Sequence, residues 1–349
     1  MNFILISLYL LNMIKIPLLG FSFSGIIPFF TITKIVNYKF VLKPVLFIGI
    51  FILIQYIFSQ TSFLELMTGK KLIGLFSGTV FGVFLMGLNP EKIKKIIFMI
   101  IFILLTLFCL TYIFKDLSIF QYSREYFAGD NDSIGILPLY LKTNKISFSG
   151  LTSDPNLAVS SLLMFYSLFT NKFKIKELIP FLLLALACSS TFNFLLISFL
   201  IIICFFKVED SQLKRISLVT FIIFSSIILA DGFNNIRWFI WQKYITGFLE
   251  RGIQIFGFST SNISFFNQVF ITSSHNTFID IYLYAGIIGL VSFIWLIYIF
   301  CKNKEESLTR GISLVLSIFA ISYFNQPIFY TLFAIIINPY TLSNMRKLN

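Results

Sequence analysis

Acid–base chemistry in this chain centres on one stretch, TSSHNTFIDIYLYAGIIGL, which covers residues 272–290. It contains His275, the only histidine in 349 residues. An imidazole has an unperturbed pKa near 6.5, so it can accept a proton at neutral pH. His275 is therefore predicted to be a general base that removes the proton of an attacking hydroxyl group. The alternative is a polar residue that caps a helix or reaches to a membrane surface.

Basic residues precede this stretch at Arg237, Lys243 and Arg251, and Arg124 lies further upstream. Arginines hold anions through charge-assisted, often bidentate hydrogen bonds, so they would bind an anionic leaving group. At a membrane surface the natural anion is a lipid pyrophosphate. Arginines can stabilise the developing charge themselves, so no metal and no cofactor is expected. The alternative is that they anchor the chain to lipid phosphates.

Asp280 follows Asn276 by one helical turn and is an acid inside a predicted membrane helix. Ionisable residues inside membrane helices are costly and functional by default. Asp280 is also close enough to the predicted interface to be simply solvated, and this alternative stays open.

The elements that carry these residues belong to a very apolar chain. Hydrophobic residues make up 57% and charged residues 12%, and the mean hydropathy is +0.90. Soluble domains have about 25% charged residues. The composition predicts an all-α, polytopic membrane protein that forms a single integral-membrane domain over residues 1–349. The net charge of +12 is attributed to basic cytoplasmic loops rather than to nucleic-acid binding.

A membrane-spanning helix needs about 20 mainly apolar residues. The apolar runs predict about twelve helices, of which the seventh and eighth are short and could form a bent hairpin around CSSTFN. The predicted ranges are 3–15, 18–33, 41–58, 72–88, 96–114, 151–170, 177–189, 192–206, 216–231, 277–300, 311–324 and 327–342.

With both termini in the cytoplasm, most of the 27 Lys and Arg residues fall in short inner loops, Arg310 among them. Lys70 and Lys71 are the main exceptions. Two long loops, 115–150 and 232–276, then face outward, and long loops are uncommon unless they are functional. His275 is thus predicted at the outer face of the membrane.

Two other patterns indicate packing rather than chemistry. Gly74, Gly78 and Gly82 are spaced four residues apart, which favours close helix–helix contact. All four cysteines lie in apolar runs, which favours buried thiols over disulfides or a zinc site.

The sequence around His275 resembles the signature of the O-antigen polymerase/ligase superfamily. That signature is a histidine, then Asn, Ser or Gln, then nine residues, then Gly-x-x-Gly. Here His275 and Asn276 are followed by nine residues and by Gly286 and Gly289.

Two upstream segments extend the resemblance over roughly 150–300. RWFIWQKYITGFLERGIQIFGFS resembles the family segment with an arginine, a nearby tryptophan and a glycine-bearing turn, at Arg237, Trp241 and Gly257. GLTSDPNLAVSSLL resembles the family's Asp-Pro-Asn helix start, at Asp154 and Asn156.

The resemblance implies a glycosyltransferase with a GT-C-like, all-helical membrane fold. It implies a donor glycan on undecaprenyl pyrophosphate, presented at the periplasmic face of a bacterial inner membrane, and a sugar hydroxyl as acceptor. His275 would be the general base, Arg237 would contact the pyrophosphate, and Asn276 would orient His275 or the acceptor. Membrane lipid and a chain-length regulator protein are candidate partners, and nucleic acid is not expected. The further candidate substrate contacts are Arg124, Asp154, Asn156, Trp241, Arg251 and Asp280, with helix capping as the alternative for Asp154 and Asn156.

One position departs from the family pattern. The family has a Ser-Arg pair in the turn that reads SSTFN here, and its arginine belongs to the pyrophosphate site. In this chain Ser190 is followed by Thr191, and Asn193 is the nearest larger polar residue. Arg124, Arg251 or a lysine would have to supply the missing charge.

The preferred prediction is a polymerase that joins repeat units of an O-antigen or a capsular polysaccharide. A ligase that transfers O-antigen to lipid A-core has the same site chemistry and is the first alternative. A transporter or flippase should carry charges near the bilayer midplane, whereas the predicted helix centres here are almost uncharged. A pure scaffold protein would leave the arginines near His275 unexplained.

Overall fold

Helices dominate the computed structural model, and two pairs of short strands accompany them. Among the residues that the structure describes there are ten helices. The described residues are 6, 15–16, 21–22, 30–31, 39–59, 69–113, 139–142, 145–148, 155–170, 172–188, 190–208, 212, 236–258, 276–302, 306–319 and 327–338.

Nine of these helices match predicted spans to within six residues at each end. Their bounds are α1 Lys39–Ser59, α2 Gly69–Met86, α3 Pro90–Ile113, α4 Pro155–Phe169, α5 Ile175–Ala187, α6 Thr191–Phe205, α8 Thr277–Lys302, α9 Ser307–Phe319 and α10 Pro327–Ile337. The predicted helix at 216–231 lies outside the described residues.

The tenth helix, α7 at Ile236–Arg251, lies in the predicted outer loop 232–276. A second unpredicted element is the antiparallel pair of β3, Leu139–Lys142, and β4, Lys145–Phe148, in the predicted outer loop 115–150. Neither segment contains a long apolar run, so hydropathy alone predicts a loop at both.

The predicted helix at 18–33 is wrong as a continuous element. Phe21–Ser22 forms strand β2 and pairs antiparallel with β1, Lys15–Ile16. The intervening sequence contains Pro17 and Gly20, two residue types that favour a turn over a helix.

Helices α3 and α8 are the two described helices that are long and apolar enough to cross a membrane. Only 33% of each spanning window is buried inside the protein, whereas the core helix of a soluble protein would be mostly buried. Helix α1 also has a row of exposed apolar side chains along one face, which a water-soluble surface rarely carries. The row comprises Leu42, Leu46, Ile50, Leu53 and Ile57.

Helices α5 and α6 form the short hairpin that CSSTFN suggested. They contain 13 and 15 residues, so each is only about 20–22 Å long, less than the hydrocarbon thickness of a bilayer. Their turn at Cys188–Ser190 is one boundary of the candidate site.

Helix α2 packs most closely against α10, and small residues allow the contact. A Cβ atom at Gly82 would lie 2.8 Å from the carbonyl oxygen of Thr331 and 2.9 Å from Cβ of Ala334. The hydroxyl of Thr331 also donates a hydrogen bond to the carbonyl oxygen of Gly78 at 2.8 Å. The predicted small-residue face of α2 is therefore confirmed as a packing surface.

Contacts among helix ends and connecting segments join the helices at the end opposite to the candidate site. The backbone N–H of Phe173 donates to Oε2 of Glu306 at 3.0 Å, and the Tyr166 hydroxyl donates to Oε2 of Glu177 at 2.5 Å. Arg310, predicted in an inner loop, instead lies in the first turn of α9 and is 1% exposed. The prediction started this helix at 311, four residues too late, because it followed the apolar run alone.

Candidate functional site

One aromatic side chain at the end of α9 joins three of the predicted site elements. The Phe319 ring centroid lies 4.9 Å from that of Trp241 in α7 and 6.3 Å from that of Phe278 in α8. It also lies 6.5 Å from the ring of Phe192 in the first turn of α6. The starts of α6 and α8 and the middle of α7 therefore meet at one end of the bundle.

Asn276 caps helix α8. Its Oδ1 accepts hydrogen bonds from the backbone N–H groups of Phe278 at 2.9 Å and Ile279 at 3.2 Å, and the residue is 1% exposed. These are the contacts of an N-cap residue. The side-chain oxygen that was expected to orient His275 or the acceptor is thus engaged in holding the helix start. His275, which precedes Asn276 in the sequence, lies outside the described residues.

Asp280 is buried in the first turn of α8, where the helix dipole favours a negative charge. Its backbone N–H donates to the carbonyl oxygen of Asn276 at 3.1 Å. Burial raises the pKa of the nearby Tyr244 phenol, and the charge of Asp280 raises that pKa further. Tyr244 consequently keeps its proton at neutral pH and can act as a hydrogen-bond donor, but not as a base.

A neutral hydrogen-bonded trio lies at the SSTFN turn, where the sequence pattern departs from the expected Ser-Arg pair. The Ser160 hydroxyl donates to Oδ1 of Asn193 at 2.9 Å, and Nδ2 of Asn193 donates to the Ser190 hydroxyl at 2.9 Å. All three side chains are buried, and Asn193 is 0% exposed. Asn193 therefore joins α4 to the start of α6, and the trio brings no positive charge to this corner.

A backbone clasp fastens the segment after α7 to the middle of α8. The carbonyl oxygens of Gln254 and Ile255 accept hydrogen bonds from the N–H groups of Ile287 at 3.0 Å and Ile288 at 3.3 Å. In return, the N–H of Phe258 donates to the carbonyl oxygen of Leu283 at 2.9 Å. Helix α8 is interrupted there, and the groups freed by the interruption form these bonds.

Gly286 of the His275 motif and Gly257 of the upstream segment make the clasp possible. Gly286 has φ 65° and ψ −166° inside α8, and a Cβ atom there would collide with the carbonyl oxygen of Ile255. Gly257 has φ 105°, and its Cβ would lie 2.6 Å from the carbonyl oxygen of Tyr284. Both positions need a residue that tolerates positive φ and a close backbone approach.

The remaining predicted residues differ in position. Arg237 lies in α7 one turn before Trp241, and its side chain is outside the described part. Arg251 ends α7, is exposed, and lies about 15 Å along the helix axis from Trp241. Asn156 is in the first turn of α4, which begins at Pro155 as the Asp-Pro-Asn motif predicts. Arg124 and Asp154 are outside the described residues.

The structure adds three residues that the sequence did not single out: Phe319, Tyr244 and Ser160. Phe319 is one of 46 phenylalanines, so its type carried no signal. Tyr244 follows Trp241 by three residues on a helical face, a spacing that would have indicated it once α7 was recognised. Over the described ranges, no three His, Cys, Asp or Glu side chains cluster as metal ligands would.

Comparison of the chain with protein-family models, curated proteins and solved structures finds no significant match.

Proposed function

We propose that this chain is a polytopic inner-membrane glycosyltransferase with about twelve spans and a GT-C-like fold. It would polymerise the repeat units of an O-antigen or a capsular polysaccharide. The apolar exteriors of α1, α3 and α8 support a lipid-embedded bundle. The site would lie at the outer face, where α6, α7 and α8 meet at Phe319.

In the proposed reaction, His275 removes the proton of an acceptor sugar hydroxyl. The acceptor oxygen forms a bond to the anomeric carbon of the donor glycan. The bond between that carbon and undecaprenyl pyrophosphate breaks, and the pyrophosphate leaves with the electron pair. Arg237 binds this anion, and Tyr244 and Asp280 are the neighbouring polar groups that complete the site.

The observation that carries the proposal is the convergence of three separate sequence segments on one end of the bundle. Trp241 in α7 and Phe278 at the start of α8 contact the same ring, that of Phe319. The clasp between Gly257 and Gly286 joins the same two segments a second time. Trp241 and the two glycines of the motifs thus all take part in joining α7 and the segment after it to α8.

The same geometry favours Arg237 over Arg251 as the pyrophosphate contact. Arg237 lies one helical turn, about 6 Å, from Trp241, whereas Arg251 lies at the far end of α7. The neutral trio around Asn193 contributes no charge. Lys243 is closer to Trp241 along the axis but lies on the opposite, exposed face of α7, so Arg237 is the basic residue that shares the helix face of Trp241.

A His275→Ala variant tests the proposed base. We expect it to insert into the membrane normally and to lose long-chain polysaccharide, because no other imidazole in the chain can accept the proton. Lipopolysaccharide or capsule from the variant strain would be separated on a gel. The control is Ser274→Ala at the neighbouring position, which should leave chain length unchanged. Normal chain length in His275→Ala would refute the assignment.

A deletion strain distinguishes the polymerase from the ligase. Loss of a polymerase leaves single repeat units attached to lipid A-core, whereas loss of a ligase leaves lipid A-core bare. In a host without an outer membrane, the corresponding result for a polymerase is loss of high-molecular-weight capsule.

A further inference from the structure

We propose that α7 and the segment after it lie flat on the outer surface of the lipid bilayer, with one apolar edge inserted below the phosphates. This inference rests on the membrane location in the proposed function and is independent of the chemistry assigned to the site. The inserted edge, called here the apolar ridge, consists of Ile245, Leu249, Ile253 and Ile255.

Helix α7 has three distinct faces rather than the two of an ordinary surface helix. Tyr244 and Phe248 form a buried row, and the Phe248 ring lies 4.8 Å from that of Tyr282 in α8. Since residues four apart share a helix face, Ile245 and Leu249 form the next row round the helix. Lys243 and Glu250 lie on the remaining face and are exposed.

The apolar side chains of the ridge are so exposed that contact with water would be energetically unfavourable. Leu249 is 76% exposed, Ile253 is 74% exposed and Ile255 is 55% exposed. Isolated exposed apolar residues are normal, but adjacent large ones indicate a binding or membrane-contact surface. A separate row of exposed polar residues on the same helix shows that one of its faces already suits water.

The ridge continues into the exposed apolar surface of the spanning helix. The clasp sets Gln254 and Ile255 beside Ile287 and Ile288, which are both exposed. Val291, one turn further along α8, is 58% exposed. If α8 faces lipid at these positions, Ile255 at one end of the ridge meets the same lipid beside Ile288, one turn before Val291.

The charge of α7 suits an interface with lipid phosphates. The helix contains three basic residues, Arg237, Lys243 and Arg251, and one acidic residue, Glu250. A helix with an apolar edge and a basic polar face typically lies in the interface, with the apolar edge buried about 5–10 Å into the headgroup and acyl boundary. Such a position holds Trp241 and the start of α8 at the level of a lipid-linked pyrophosphate.

Spin-label accessibility in lipid nanodiscs tests the position of the ridge. Single labels would be attached to Leu249→Cys, to Glu250→Cys as the matched control on the polar face, and to Val291→Cys as the spanning-helix control, with the exposed native thiol removed by Cys109→Ala. Collision with oxygen reports lipid, and collision with a water-soluble nickel chelate reports solvent. We expect the ratio of oxygen to nickel collisions to be several-fold higher at 249 than at 250, and the depth at 249 to be smaller than at 291.

Each other outcome overturns the proposal in a recognisable way. Equal nickel access at 249 and 250 means that the ridge faces water. Low access to both reagents at 249 means that a protein, including a second copy of this chain, covers the ridge. High nickel access at 291 as well means that the membrane assignment itself is wrong, which separates that failure from a failure of the ridge alone.

A second measurement uses the native cysteine content. A benzophenone amino acid at position 249 of the otherwise unchanged full-length chain should form adducts with phospholipid upon illumination, and the same residue at position 250 should not. Adducts with protein at 249 instead of lipid would contradict the proposal.

Discussion

At the scale of the residue, the most informative polar group is the buried amide of Asn193. It uses both ends of its side chain, one to accept from Ser160 and one to donate to Ser190. A buried network of this kind specifies a position because each member is costly to leave without its partner. Asn193 therefore fixes the start of α6 against α4 at the edge of the candidate site.

Asn193→Ala should destabilise the protein by about 1–3 kcal/mol, because both serine hydroxyls lose their bond to the amide inside the bundle. The thermal unfolding midpoint in detergent would measure the loss. Thr191→Ala is the matched control, because Thr191 is in the same turn and is exposed. The free energy of unfolding of Thr191→Ala should stay within about 0.5 kcal/mol of that of the parent protein. Equal midpoints for the two variants would show that the trio contributes nothing.

The sequence identified residue types at this scale better than it identified their roles. Asn276 was singled out by its place beside the lone histidine, and the structure shows its oxygen capping α8. Helix capping depends on backbone groups that come close only after folding, so the residue type alone did not indicate this role for Asn276. Phe319 could not be found at all, because a ring contact between distant helices leaves no local pattern.

At the scale of the element, the interruption of α8 was hidden while the helix itself was predicted within two residues of its end. A glycine inside an apolar run lowers helix propensity only by about 1 kcal/mol, which does not by itself indicate a break. The break needs the clasp, in which backbone groups of Gln254 and Ile255 bond to the freed groups of α8. That partner segment lies about 30 residues upstream, beyond the reach of any periodicity. Helix α7 escaped prediction for a different reason, since only part of its surface is apolar.

Gly286→Ala should impair folding more than Gly252→Ala does. Both glycines have positive φ, 65° and 78°, so alanine is strained at either position. The ψ of −166° also places Gly286 in a region that glycine almost alone occupies, where strain costs about 1–3 kcal/mol. At Gly252 a Cβ atom would meet nothing within 4 Å, whereas at Gly286 it would meet backbone atoms of Ile255 and Gly257. The additional cost at Gly286 should appear as a lower unfolding midpoint and a lower yield of membrane-inserted protein.

The comparison between these two glycine variants is the informative quantity. If both lowered the unfolding midpoint equally, neither the close approach at the clasp nor the unusual ψ of Gly286 would add to the cost that the two positions share.

At the scale of the whole molecule, basic residues gather at the end of the bundle opposite to Phe319. The ends of α4, α6 and α8 and the starts of α5 and α9 meet there, at the contact between Phe173 and Glu306. The described basic residues at these termini are Lys172, Lys174, Lys176, Lys207, Lys302 and Arg310. Such a concentration supports the orientation in which this end faces the cytoplasm.

Labelling of intact cells with a membrane-impermeant maleimide checks that orientation. In a Cys109→Ala background, Glu250→Cys should react from outside, and Lys176→Cys should react only after the inner membrane is opened. Both positions are exposed, so neither depends on an opening motion of the fold. The reverse pattern would place the site in the cytosol and remove the proposed lipid-linked donor.

Composition was sufficient to predict a helical bundle with exposed apolar faces, because that property sums over the whole chain. Nine helices were located from their apolar runs alone. The short strand pair at Lys15–Ile16 and Phe21–Ser22 was missed, because two-residue strands in an apolar run look like helix when only hydropathy is considered. The burial of Arg310 was also missed because only hydropathy was considered. A charged residue beside an apolar run was assigned to the loop, although it lies in the first turn of α9.

The clasp limits which positions of this protein can be substituted during evolution. The clasp consists of hydrogen bonds between main-chain N–H and carbonyl groups, and every residue except proline supplies both groups. The clasp therefore tolerates many different side chains at positions 254, 255, 283, 287 and 288. Gly257 and Gly286, in contrast, cannot be replaced even by alanine. The sequence can diverge widely and still retain the clasp, provided that these two positions remain glycine, whose side chain is a single hydrogen atom.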